Sequence, residues 1–196
     1  MTRKLLLGTR NPGKAAELRA LLKGLDLELE SVADLADPPP EPPEDAPSYA
    51  ENATFKALAY ARATGLPTVA DDSGLEVDAL GGAPGVRSRR YFGEDVSPDV
   101  RNRMLLALLD GVTERTARFV AVIALAQPDG RVETFDGEVQ GEIAESPRGE
   151  DGFGYDPIFI IAEDGRTMAE VPRDEKNAIS HRGLAAAKLR AALADA

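Results

Sequence analysis

The sequence has no cysteine and one histidine, and only 5% of its 196 residues are aromatic. The missing cysteines exclude disulfides, zinc–thiolate centres and cysteine nucleophiles, and make the cytoplasm the default compartment. The scarcity of aromatics puts the core on Leu, Val, Ile and Ala. No apolar run approaches the roughly 20 residues that cross a bilayer. The short run Leu5-Leu6-Leu7 imitates a leader but is soon interrupted by Asn11-Pro12-Gly13-Lys14, so it reads as a buried strand. Basic residues are also short, 23 against 34 acidic, for a net charge of −11. That argues against a grip on long nucleic acid, which needs Lys and Arg in excess on at least one face. A small phosphorylated ligand is still allowed, because a few basic groups and a divalent ion can hold a triphosphate.

A chain of this length fits one domain, or one domain with a small lobe. Residues 4–8 read as a buried strand. Asn11 suits the N-cap and Pro12 the first position of an amphipathic helix that runs to Leu22. Residues 27–32 alternate as a half-exposed strand. Residues 37–47, dominated by Pro, Glu and Asp, form a loop. Ser48-Tyr49-Ala50-Glu51 is a capping box that opens a helix to Thr64. Residues 68–70 are a short strand ending in the acidic turn Asp71-Asp72-Ser73-Gly74. Ser97-Pro98 starts another helix with Leu105, Leu106, Leu108 and Leu109 as its packing face. Residues 118–126 and 131–143 form a hairpin around Pro128-Asp129-Gly130. A Gly-rich loop at 149–156 leads to a short strand at 158–161, and Asp174 caps a last helix that runs nearly to the end. The mixture, with a long antiparallel pair, predicts an α/β class with a mixed sheet.

Four constellations could carry chemistry. Thr9-Arg10-Asn11-Pro12-Gly13-Lys14 lies between a strand and a helix start, where backbone N–H groups attract anions. It lacks the GxxxxGK[ST] pattern, so P-loop mechanics do not apply. In Asp71-Asp72-Ser73-Gly74 two adjacent carboxylates repel each other, and a hard divalent cation would relieve this. Successive residues of an extended segment point to opposite sides, so one of the two faces a given site. The bland reading is a solvated Asx-turn. In Gly152-Phe153-Gly154-Tyr155-Asp156-Pro157, flanking glycines let an aromatic ring lie against a nucleobase; the bland reading has both rings plugging the core. Near the end stand Lys176 and Ser180-His181-Arg182-Gly183, whose donors suit carbonyl or phosphate oxygens. Beside Arg182, His181 reads as a neutral donor rather than a base.

Taken in order and together with Glu51-Asn52-Ala53, Lys56 and Gly81-Gly82-Ala83-Pro84-Gly85, these motifs closely resemble the inosine triphosphate pyrophosphatase family over residues 4–190. Arg10 stands where many members have Gly, and the Pro-rich stretch before Ser48 is less typical. The resemblance implies one domain over residues 1–196, an elongated mixed sheet with flanking helices and two lobes around a central cleft. It implies hydrolysis of ITP, dITP and XTP to the nucleoside monophosphate and pyrophosphate, with Mg²⁺ as cofactor and a homodimer as the assembly. Carried over by position, Thr9, Arg10, Asn11, Pro12, Gly13 and Lys14 grip the triphosphate with Lys56. Asp72 is the metal-linked carboxylate and proton acceptor, Ser73 touches the substrate, and Glu44 is the second metal ligand. Phe153, Gly154, Tyr155 and Asp156 form the nucleoside pocket, with Phe153 against the base. Lys176, His181 and Arg182 complete the base and phosphate contacts. The competing readings are a related pyrophosphatase for modified pyrimidine triphosphates, with a different base pocket, and a nucleotide-binding module without turnover.

Overall fold

Leu5, Leu6 and Leu7 are buried on alternate faces of one strand, and that alternation organises the first half of the molecule. The structure is a computed structural model that describes residues 3–194. Among these, β1 (Arg3–Leu7), β2 (Leu27–Ser31), β3 (Thr68–Val77), β4 (Thr116–Ala126), β5 (Val132–Ile143) and β6 (Phe159–Ile161) form a six-stranded sheet in the order β2-β1-β3-β4-β5-β6. Strand β1 runs parallel to β2 and β3, whereas β5 and β6 are antiparallel. The class is the mixed α/β fold read from the sequence. The helices are α1 (Pro12–Leu21), α2 (Tyr49–Thr64), α3 (Pro98–Leu108), α4 (Arg173–Ile179) and α5 (His181–Ala194).

The chain divides into two compact units. One comprises Met1–Asp72, Ala121–Gly137 and Arg182–Ala196, the other Ser73–Val120 and Glu138–His181. In the first unit, Leu5 and Leu7 pack with Leu18 and Leu22, with Val69 of β3 and with Ala185, Ala186 and Leu189 of α5. Leu6 faces the other way, onto Val32 and Tyr60 of α2. So α1 and α5 cover one face of β1 and β3, and α2 covers the other, as the period of two along a strand requires. Gly8 continues β1 toward α1. A Cβ there would lie 3.0 Å from a ring carbon of Tyr60 and 3.1 Å from the Thr68 methyl, so its absence lets Tyr60 close over the strand. The second unit has its own core, including Leu75 and Val77 of β3, Leu105 and Leu109, Phe119, Phe159 and Met168.

Three readings are corrected. Strand β3 does not stop at Ala70; it continues through the acidic residues to Val77. Hydrogen bonds and cations supplied by the helices make those carboxylates tolerable inside a strand. The last helical segment is two helices. Ser180, with φ −74° and ψ 157°, is extended; its N–H closes α4 on Lys176 O at 2.9 Å, and a new helix starts at His181. Asp174 therefore lies in the first turn of α4, with Pro172 at the N-cap position. In α3, Leu105 and Leu109 are buried and Leu106 packs partly, but Leu108 stays exposed on a flank of the apolar stripe with Val100 and Met104.

Candidate active site

The segment from Thr9 to Lys14 is held from both sides. Ser31 Oγ donates to Thr9 O at 3.0 Å, and Thr9 Oγ1 accepts from Asn11 N at 3.1 Å. Asn11 is the expected N-cap and Pro12 opens α1. Asn11 Oδ1 accepts from the N–H groups of Gly13 and Lys14 at 2.9 and 3.2 Å. Those two donors are thus already engaged, so anion attraction here falls chiefly to the helix dipole and the Lys14 ammonium. Arg10 is exposed and donates to Pro39 O in the Pro-rich loop at 2.6 Å. Lys14 is not solvated: its Nζ lies 3.1 Å from Asp71 Oδ2.

Asp71 and Asp72 sit in the middle of β3 and point to opposite faces. Asp71 turns to the α1/α5 side. Its Oδ2 accepts from Arg182 Nε at 3.0 Å and Nη2 at 2.9 Å, besides the Lys14 contact. Arg182 Nη1 donates to Glu17 Oε2 of α1 at 2.6 Å. Asp72 turns to the α2 side, where its Oδ2 accepts from Asn52 Nδ2 at 2.9 Å. Lys56, also from α2, donates to Asp71 O at 3.0 Å and pairs with Glu44 of the Pro-rich loop.

These surroundings separate the two acids chemically. Burial would raise Asp71, but Lys14, Arg182 and Lys56 outweigh it and hold the carboxyl far below the usual carboxylate range. Burial pushes Asp72 up; Lys14 and the Asn52 amide pull against it, while Glu44 adds to the rise. Asp71 is thereby a fixed internal anion, and Asp72 the more basic carboxylate, suited to accept a proton. Burial lowers Lys14, with Asp71 opposing; Lys56 ends up raised because Glu44 and Asp71 overcome its desolvation.

Mg²⁺ takes hard oxygen donors and binds through one or two carboxylates, completing its shell with water and phosphate oxygens. Asp72 and Glu44 match that chemistry. Glu44 adds to the rise of Asp72, while burial of Glu44 itself is outweighed by Lys56 and Lys14, which hold it below the ordinary range. Among the described residues no group of three or more His, Cys, Asp and Glu side chains could hold a metal; the two carboxylates would supply part of a shell that water and phosphate oxygens complete.

In the second unit, Phe153 is half-buried. Its N–H donates to Asp156 Oδ2 at 2.7 Å, and Lys176 Nζ donates to the same oxygen at 2.7 Å. The Lys176 ammonium also lies 5.0 Å from the Phe153 ring centre. The carbonyl of Gly154 accepts from Asn102 Nδ2 of α3 at 3.0 Å. His181 is buried, with its ring stacked on Phe119 at 4.7 Å and 19°. Ser73 follows Asp72 in β3 and is half-buried. The glycine before Phe153 has a defined purpose. Gly152 has φ +80°, and a Cβ there would come within 2.1 Å of Asp156 Oδ2. Gly152→Ala is expected to displace Asp156 and with it Phe153, raising KM for a nucleotide about tenfold while kcat changes less. Steady-state kinetics check this.

Two carried-over residues are placed differently from expectation. Tyr155 lies in the core of the second unit and its hydroxyl donates to Ser88 O at 2.9 Å; burial raises it well above an ordinary tyrosine. The ring is packed inward because Gly154 and Asp156 turn the chain around it, so of the two loop aromatics one plugs the core and one does not. Arg182 is 1% exposed, and its three nitrogens serve Asp71 and Glu17. Its side chain holds these two carboxylates. Sequence reasoning gave no role to Glu17 or Asn52. Both are buried polar residues on apolar helix faces, Glu17 beside Leu18 and Asn52 beside Ala53, and that pattern was the available signal.

Two adjacent buried carboxylates facing opposite ways, set among Lys14 and the buried Lys56, mark the charged centre of this α/β protein. The Ham1 family profile matches residues 5–192, and the chain belongs to the Ham1 family. It is 53% identical over 192 residues to a dITP/XTP pyrophosphatase of Geobacter sulfurreducens, covering 97% of this chain and 96% of that one. It is 50% identical over 194 residues to a dITP/XTP pyrophosphatase of Thermus thermophilus, covering 98% and 92%. A solved HAM1 protein of Coxiella burnetii superposes with a TM-score of 0.90 at 40% identity, covering 99% of this chain and all of the other.

Proposed function

We propose that this protein hydrolyses the non-standard purine nucleoside triphosphates ITP, dITP and XTP to the nucleoside monophosphate and pyrophosphate, with Mg²⁺, and so cleanses the nucleotide pool. The names borne by relatives at about half identity support the substrate class. The observation that carries the chemistry is the division of the two acids on β3, Asp71 held by Lys14 and Arg182 and Asp72 turned to Asn52 on the opposite face. In this reading a water oxygen attacks the α-phosphorus while Asp72 takes its proton. The bridging oxygen between the α and β phosphates leaves with pyrophosphate. Lys14 and Lys56 offset the charge of the phosphates. When bound, Mg²⁺ neutralises phosphate charge and acidifies the attacking water. Phe153 stacks on the base, held by the Asp156–Lys176 pair. His181 donates to the 6-oxo group, a donor that a 6-amino group cannot satisfy. The reading carries with it a cytoplasmic homodimer.

A pyrophosphate-release panel over ITP, XTP, dITP, GTP, ATP and dUTP with Mg²⁺ tests it. The expected result is release from ITP, XTP and dITP at least about a hundredfold faster, by kcat/KM, than from ATP or dUTP. Preference for dUTP would favour the pyrimidine reading. Tight binding of every triphosphate without release would favour a binding module.

A further inference from the structure

Asn52 makes more directed side-chain contacts than its place in the first turn of α2 needs. It is fully buried on the inner side of α2. Its Oδ1 accepts from Ala46 N at 3.0 Å; its Nδ2 reaches Ala46 O at 3.4 Å and donates to Asp72 Oδ2 at 2.9 Å. The orientation of the amide is dictated from both ends. Ala46 N–H demands an oxygen, and the Asp72 carboxylate demands an N–H, so the reversed amide would face repulsion at both. Ala46 lies two residues from Glu44, in a loop where Pro38, Pro39, Pro40, Pro42, Pro43 and Pro47 leave few backbone donors for any other anchor. One carboxamide therefore grips both the backbone that carries Glu44 and the side chain of Asp72.

We propose that Asn52 is the positioning residue that sets the spacing of the Asp72 and Glu44 carboxylates, and so prepares the divalent-cation site before the ion arrives. The inference rests on the Mg²⁺ reading above. Partners that orient a metal's ligands typically change metal affinity 10–100-fold when removed, and loss of a clamp opens a loop locally without unfolding the rest.

The test compares wild type, Asn52→Ala and Ser48→Ala. Ser48→Ala weakens the cap of α2, where Ser48 Oγ accepts from Glu51 N at 3.2 Å, without touching the amide. Two quantities are read: the Mg²⁺ concentration for half-maximal turnover, and the rate at which a glutamyl endopeptidase cuts the Glu44-Asp45 bond in metal-free protein. For Asn52→Ala the half-maximal Mg²⁺ is expected to rise at least about tenfold, with turnover largely recovered at high Mg²⁺. Cutting of the metal-free protein is expected to be about tenfold faster. Ser48→Ala should change neither. If Asn52→Ala does not fold, Ala46→Pro breaks the loop arm alone and should show the same two shifts. Unchanged Mg²⁺ demand and cutting rate in a folded variant, or equal shifts in Ser48→Ala, would overturn the proposal. Turnover by wild type without any divalent ion would instead defeat the Mg²⁺ reading, while the cutting rates would still report the clamp.

Discussion

Asp72→Asn is expected to reduce pyrophosphate release from ITP by about 10³-fold, within the usual range for loss of a positioned general base, and to leave the melting temperature nearly unchanged. The substitution is isosteric, and the side-chain oxygen of the new amide can still accept from Asn52 Nδ2, which now lies 2.9 Å from Asp72 Oδ2. What disappears is the negative charge and the ability to take a proton. Because burial is the largest influence raising the Asp72 carboxyl, this is the more basic of the two adjacent acids. Turnover like wild type in a folded Asp72→Asn variant would remove it as the proton acceptor.

The second large effect falls on stability. Arg182→Met is expected to lower stability by about 3–5 kcal/mol, the usual consequence of removing one partner of a buried ion pair. For a chain of this size that is a fall of roughly 10 °C in melting temperature. The guanidinium is 1% exposed and is shared between Asp71 and Glu17. Without it Glu17 and Asp71 lose their charged partner, and only Lys14 and Lys56 remain to balance Asp71. Adding Glu17→Gln to the same protein should restore part of the loss, because Asp71 keeps Lys14 as a cationic partner and no buried carboxylate is then left without one. An unaltered melting temperature together with a changed ITP-to-ATP ratio of kcat/KM would instead place Arg182 at the base.

The elements were legible where local chemistry decided them. Asn11 with Pro12, and Ser48 with Glu51, name helix starts by the donors they satisfy, and the structure shows both caps. The second is a variant, since Ser48 Oγ donates to Glu51 Oε2 at 2.7 Å rather than leaving Glu51 to bond back to the backbone. What local chemistry hid was tertiary. Asp71-Asp72-Ser73-Gly74 has the composition of a turn, yet it runs as strand because Lys14, Arg182 and Asn52 arrive from three helices to satisfy it. The alternation rule did foresee that the two acids would face apart. It could not say which one met the cations, since Arg182 lies 111 positions away from Asp71. The same distance in sequence concealed the carboxylates that Arg182 meets within the protein, Asp71 and Glu17. In the aromatic loop, the resemblance put both rings in the nucleoside pocket, and the packing of the core separates Tyr155 from Phe153.

The most direct measurement is hydrolysis of ITP in water enriched in oxygen-18 with Mg²⁺, followed by mass analysis of both products. Attack on the α-phosphorus predicts one labelled oxygen in the inosine monophosphate and unlabelled pyrophosphate. Label in the pyrophosphate, or formation of a diphosphate nucleotide and inorganic phosphate, would contradict the account.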